Sequence, residues 1–134
     1  MKAKLLTLIY FLISMVSFAQ DQIKPKNIIQ YKQTTENLIY QLFPTQNYWT
    51  FIKLDTRNGK MWQVHFSVKG SEERGEVKLN TVPLINKDAE EVGRFTLYPT
   101  ENMYNFILLD QIDGFTYQVQ WSMKETERMV IPIE

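Results

Sequence analysis

From Trp49 to Val68 the side chains alternate between two kinds with a period of two, the spacing that sends successive residues to opposite sides of a β-strand. Trp49, Phe51, Trp62, Val64 and Phe66 form one set, and Thr50, Ile52, Leu54, Met61, Gln63, His65 and Ser67 form the other. The alternation is interrupted once, at Thr56-Arg57-Asn58-Gly59, a four-residue loop with glycine last. This predicts a hairpin with arms Trp49–Asp55 and Lys60–Val68. Gly59 suits the positive φ that closes such a turn, and the carboxylate of Asp55 can cap loop amides.

The pattern returns 55 residues later. Leu97 to Lys124 aligns without a gap on Leu42 to Lys69, and 13 of the 28 positions are identical, where unrelated segments would share roughly one or two, so the chain contains an internal duplication. The second hairpin has arms Tyr104–Asp110 and Phe115–Met123 around Gln111-Ile112-Asp113-Gly114, with Asp110 and Gly114 in the places of Asp55 and Gly59. Upstream of each hairpin, Leu38–Phe43 and Arg94–Tyr98 read as strands ended by Pro44-Thr45 and Pro99-Thr100, because proline lacks the N–H that a ladder needs. Downstream, Glu76–Val82 and Arg128–Ile133 supply a fourth strand to each unit, and Asn86–Glu91 is a charged connection. The expected fold is all-β. Two tandem antiparallel meanders of about four strands each, repeat 1 over about 38–82 and repeat 2 over about 93–133, form one duplicated domain at 38–134, as a sandwich or a small closed barrel.

Loop length sets the pairing. With Asp55 facing Lys60, Phe51 lies opposite Val64 and Trp49 opposite Phe66, so the aromatic set shares one face of the ribbon. In the second copy Tyr104, Phe106, Leu108, Tyr117, Val119 and Trp121 do the same. Burial of the aromatic sides is expected in both copies. The opposite sides, with Asn105, Ile107, Leu109, Thr116, Gln118, Gln120 and Ser122 in copy two, mix aliphatic and amide groups. Such a face is expected to be partly covered, by the rest of the chain or by a partner.

The first residues follow a different logic. Lys2 and Lys4 precede an uncharged, mostly apolar run from Leu5 to Val16, and Ser17-Phe18-Ala19 places small residues at −3 and −1 of a cut before Gln20. Residues 1–19 are therefore expected to be a signal peptide, and the protein to be exported to the periplasm or secreted. An uncleaved anchor is the alternative, but twelve residues make about 18 Å of helix against a hydrocarbon core of roughly 30 Å. Residues 20–37 read as a polar linker or short arm, with a helix over Asn27–Asn37 as the other reading.

Composition narrows the function by exclusion. Fifteen basic and fifteen acidic residues leave no formal charge, which removes the electrostatic footprint of a nucleic-acid binder. The chain has no cysteine, hence no disulfide, thiolate metal site or cysteine nucleophile. His65 is the only histidine, no serine or carboxylate is tied to it by a recognisable spacing, and its twin in copy two is Gln120. Neither turn meets the calcium-loop pattern. No catalytic residue, metal or cofactor is expected.

Two resemblances follow from these motifs. Leu54-Asp55-Thr56-Arg57-Asn58-Gly59-Lys60-Met61-Trp62 resembles the LDxxTGxxxW hairpin of quinoprotein-type β-propeller blades, with its tryptophan one residue early. Leu38 to Ile133 as a whole is similar to small secreted bacterial proteins carrying a duplicated YPTxNMYxFxLLDxxxGxxWQVQWS repeat, matched at Tyr98-Pro99-Thr100-Glu101-Asn102-Met103-Tyr104 and Gln118-Val119-Gln120-Trp121-Ser122. The resemblance implies export and a β fold, and carries no activity. The resulting expectation is a secreted or periplasmic, non-enzymatic module that binds a protein or glycan through Ile52, Gln63 and His65 and their counterparts Ile107, Gln118 and Gln120. The alternatives are a self-associating envelope component, an immunity-type inhibitor, or an enzyme with an unrecognised site.

Overall fold

A computed structural model describes residues 38–70 and 74–134. The expected signal peptide at 1–19 and the arm at 20–37 lie outside the described residues. Eight strands follow in order: β1 (Tyr40–Pro44), β2 (Thr50–Asp55), β3 (Met61–His65), β4 (Gly75–Asn80), β5 (Phe95–Pro99), β6 (Asn105–Asp110), β7 (Thr116–Gln120) and β8 (Met129–Pro132). Each set of four makes its own antiparallel sheet in the order β1-β2-β3-β4 and β5-β6-β7-β8. The molecule is thus an all-β pair of open meanders rather than a closed barrel. Two single 3₁₀ turns, Lys87–Ala89 and Glu125–Glu127, sit in the connections.

The hairpin turns explain why both copies fold alike. Asp55 N–H donates to the Lys60 carbonyl at 2.8 Å, and Gly59 N–H returns to the Asp55 carbonyl at 3.0 Å; Asp110 does the same with Phe115 at 2.8 Å and Gly114 at 2.9 Å. Gly59 and Gly114 take φ of 77° and 78°, where a side chain is disfavoured by the clash of Cβ with the backbone. The Asp55 carboxylate accepts from Arg57 N–H at 3.1 Å, and that of Asp110 from the amides of Ile112 and Asp113 at 3.0 and 3.2 Å. Both first strands end at their proline.

The register matches the expectation, with Phe51 opposite Val64 and Ile52 opposite Gln63 in sheet one, Phe106 opposite Val119 and Ile107 opposite Gln118 in sheet two. Burial does not follow it in both copies. Sheet two buries most of its aromatic side as expected, with Phe106, Leu108, Val119 and Trp121 in the core beside Phe95 and Leu97, while Tyr117 is half-buried and Tyr104, also expected inside, lies exposed at the rim. Sheet one is turned over. Thr50, Ile52, Leu54, Met61 and Gln63 are buried, whereas Trp49 and Phe66 are exposed and Phe51, Trp62 and Val64 are only half covered. One cluster holds both sheets together: Phe43, Ile52, Leu54 and Met61 from sheet one against Phe95, Leu97, Phe106, Leu108, Val119 and Trp121 from sheet two. Stacking puts unlike faces of the repeat in contact, and each face expected to be alike in the two copies has an opposite fate.

The connection between sheets is pinned by polar contacts at the first turn. Thr56 carbonyl accepts from Phe95 N–H at 2.8 Å, and Thr56 Oγ1 accepts from Gly93 N–H at 3.0 Å while donating to the Leu38 carbonyl at 2.8 Å. Asn58 carbonyl accepts from Leu84 N–H at 2.9 Å, and Leu84 and Ile85 pack against the core. The linker therefore closes over the β2–β3 turn. A Cβ on Gly59 would stand 2.7 Å from Leu84 Cδ1, whereas one on Gly114 would meet open space.

The inverted burial makes equivalent positions inequivalent in energy. Trp121→Ala removes a fully buried ring and is expected to cost about 3–5 kcal/mol, against less than about 1.5 kcal/mol for its exposed counterpart Phe66→Ala, in urea unfolding of dilute protein. Equal costs would contradict the burial of opposite faces. In the same assay Gly114→Ala is expected to cost about 1 kcal/mol for its φ alone, and Gly59→Ala roughly 1 kcal/mol more because Leu84 must move.

Candidate functional site

The six residues expected to form a binding face divide into two groups that do not meet on one surface. Ile52 and Gln63 are fully buried between the sheets, with half-buried His65 beside them at the end of β3. Ile107, Gln118 and Gln120 are half-buried on the outer side of sheet two. Ile52 and Gln63 thus belong to the core, because sheet one turns its aliphatic and amide side inward.

Paired positions show how the amides adapted. Gln118 Nε2 donates to Asn105 Oδ1 at 3.0 Å. In sheet one the place of Asn105 is held by Thr50, whose hydroxyl lies 3.1 Å from His65 Nδ1 instead. Both amide atoms of Gln63 are buried without a hydrogen-bond partner. Gln120, the twin of His65, donates to the Glu127 carbonyl at 2.9 Å. Burial, aided by the positive charge of Arg128, holds the His65 imidazole below its ordinary pKa, so it is neutral at pH 7 and bonded to a hydroxyl rather than to an acid.

The other titratable clusters are structural. Arg94 Nε donates to both oxygens of Asp110 at 3.0 Å and Nη2 to Oδ2 at 2.7 Å, while also reaching Asp113 and the Ala89 carbonyl. Burial pushes the Asp110 carboxyl up, but the Arg94 guanidinium and the two turn amides outweigh it and hold the pKa below the usual value. Asp55 follows the same balance, with Arg57 as the cation. Among the described residues no group of three His, Cys, Asp or Glu side chains could hold a metal ion. A half-open groove of about 370 Å³ runs between Asn102, Tyr104, Gln120, Trp121 and Glu127. Its one carboxylate, Glu127, is already taken by Ser122 at 2.8 Å and Lys124 at 3.0 Å.

The surface that stands out is the aromatic side of sheet one. Tyr40, Leu42, Trp49 and Phe66 are 52%, 60%, 48% and 40% exposed, and Phe51, Trp62 and Val64 lie half-covered among them on the same face. The rings are braced. Tyr40 meets Trp62 edge-on at 6.5 Å, Trp49 meets Phe66 at 5.3 Å, and Phe51 lies 6.0 Å from Phe66. Lys53 Nζ sits 4.8 Å above the Trp62 ring and 5.8 Å from that of Tyr40 while pairing with Glu76. Fixed rings lose little freedom on contact with a ligand, which favours binding. Sequence reasoning assigned Trp49, Phe51, Trp62, Val64 and Phe66 to the core, although Lys53 was a visible signal: it occupies the aromatic face where copy two has Leu108, and a lysine is seldom buried.

Removing the orphaned amide is expected to help the fold. Gln63→Met should raise stability by about 1–2 kcal/mol, or roughly 4–12 °C in Tm, whereas Gln118→Met, which breaks the bond to Asn105, should not raise it. Acid brings two separate losses. The depressed His65 pKa means the unfolded chain binds its proton first, so stability falls as pH drops below about 6.5 and levels once the folded imidazole titrates. The depressed Asp55 and Asp110 contribute stability above about pH 3.9 that is lost as pH falls through their folded pKa values. His65→Gln should abolish the first loss and leave the second, read by urea midpoints across pH. No family model, no curated protein and no solved structure matches the chain.

Proposed function

We propose that the protein is an exported, non-enzymatic binding module that holds a protein surface or a glycan on the aromatic face of its first sheet. The carrying observation is the contrast between repeats: Tyr40, Leu42 and Phe66 stand in solvent where their twins Phe95, Leu97 and Trp121 are at most 1% exposed. A contiguous exposed patch of this kind marks an interaction surface more often than it marks an ordinary solvated sheet. Tryptophan and tyrosine rings offer flat apolar area to a protein side chain or to the C–H face of a sugar. Export rests on the pattern at 1–19. A low formal charge, zero for the whole chain and −2 without Lys2 and Lys4 of the expected signal peptide, fits a ligand held by apolar burial rather than by ion pairing.

The test compares the protein with a Trp49→Ser, Phe66→Ser double variant on a glycan array and in capture from its own culture medium and envelope fraction. Both substitutions are at exposed positions, so folding should persist, as circular dichroism will show. Retention of a ligand that drops at least tenfold in the variant, and is unchanged by His65→Ala, supports this reading. Equal retention by both proteins, or none by either, sinks it.

A further inference from the structure

The two faces of the repeat are already known to fit each other, because the interior of the molecule is one such contact. The aromatic face of repeat two lies on the aliphatic and amide face of repeat one. The remaining two faces are the same pair of surfaces, left at opposite ends of the stack. We infer that the partner of the aromatic face is a second copy of this chain, which presents the outer face of its sheet two. This rests on the binding-module reading and names its ligand.

Equivalent positions support the match in detail. Leu42 corresponds to Leu97 and Tyr40 to Phe95, both buried in the internal contact; on the other side Tyr98 corresponds to Phe43 and Ile107 to Ile52, also both buried there. Trp49 would stay at the rim, as its twin Tyr104 does in the internal contact, at 46% exposure. The aromatic face carries Lys53 on a central strand and, on the edge strand β4, Glu76 opposite Val64 and Lys78 opposite Trp62; Lys53 faces a sheet whose central strands offer the oxygens of Asn105, Thr116 and Gln118. An ammonium so placed keeps its Glu76 pair and gains acceptors, which limits the cost of covering it. The contact joins unlike faces, so each added copy exposes the same two faces again. Such head-to-tail contacts close into a ring when the rotation per chain allows and otherwise run on as a filament. With four-stranded sheets arranged radially, two to four chains would supply the roughly four to eight sheets of a closed ring.

The experiment uses protein expressed from its full sequence and purified, with mass measured by light scattering during size-exclusion chromatography over a range of concentrations. Leu42→Glu blocks one end and Tyr98→Glu the other, with Ile131→Glu as a second block on the Tyr98 side. All three positions are exposed in the single chain, at 60%, 47% and 45%, and a thermal melt verifies folding. Expected is a mass of two or more chains for the parent, and single chains for each variant. A carboxylate at these positions should weaken association about 100-fold or more, by burying an unpaired charge. Mixing Leu42→Glu with Tyr98→Glu chains should restore a 1:1 pair through the two unblocked faces. A concentration-independent monomeric parent overturns the proposal. So does a pair that survives Tyr98→Glu and Ile131→Glu but not Leu42→Glu, which would mean that aromatic faces meet each other. If the parent is monomeric yet a different ligand is captured through Trp49 and Phe66, the binding-module reading stands and only the second copy is excluded.

Discussion

Two sheets folded from one repeated sequence can stack with like faces together or with unlike faces together, and everything in this molecule depends on the second arrangement. The interior is filled from one side by Phe43, Ile52, Leu54 and Met61 and from the other by Phe95, Phe106, Trp121 and three aliphatic neighbours. Stacked sheets stand about 10 Å apart, and the gap must be filled at near-crystalline density. Two ring-bearing faces would overfill it and two faces of the Ile52 kind would leave it loose, with twice the number of amides in the dark. Large against small solves both problems. The exceptional cost is Gln63, whose amide is carried into the core with the aliphatic residues beside it and bonds nothing there.

Differences between the copies follow burial. On the aromatic side, buried Leu108 and Phe95 in sheet two stand where exposed sheet one has Lys53 and Tyr40; on the opposite side, buried Met61 and Phe43 in sheet one stand where sheet two has Thr116 and Tyr98. In each pair the less polar member is the buried one. Polar atoms are expensive to bury without partners, so in these pairs the polar member stands on an outer side, with Gln63 as the exception. The turns escaped this divergence because Asp55 and Asp110 serve their own loops, although the cation beside them comes from the loop in one copy, Arg57, and from the start of β5 in the other, Arg94.

Register and topology were legible because both depend on local chemistry. Glycine at positive φ, aspartate at the loop entry and proline at the strand end say where each strand begins and stops, and the period of two then pairs Phe51 with Val64 and Phe106 with Val119. Which side is buried is a different question. Alternation separates two faces without ranking them, and in this chain both carry enough apolar area to form a core. Aromatic content favoured the wrong side of sheet one, since Trp49, Trp62 and Phe66 outweigh Ile52, Leu54 and Met61 in apolar area. A single lysine at Lys53, set against Leu108, carried the deciding information. The candidate site was missed for the same reason, as its hairpin residues were assigned to the interior and Tyr40 and Leu42 to no face.

The exposed aromatic face is costly to keep. A sheet face meant for water can be made of Thr, Lys and Glu, and broad apolar area on an open sheet invites non-specific pairing. Sheet one made that exchange at Lys53 and on its edge strand at Glu76 and Lys78, and left Phe51, Trp62, Val64 and Phe66 apolar. Even Lys53 does not dilute the patch: its ammonium lies over Trp62 and near Tyr40 while Glu76 neutralises it, so the stem covers ring surface and the charge fixes ring positions. Sheet two shows the converse on its outer side, where Ile107 and Leu109 remain under half-covered amides and a threonine. Each end of the stack therefore retains the character of the face that the other repeat buries. Solvent alone gives no reason for that pattern, whereas a covering surface of the opposite kind does.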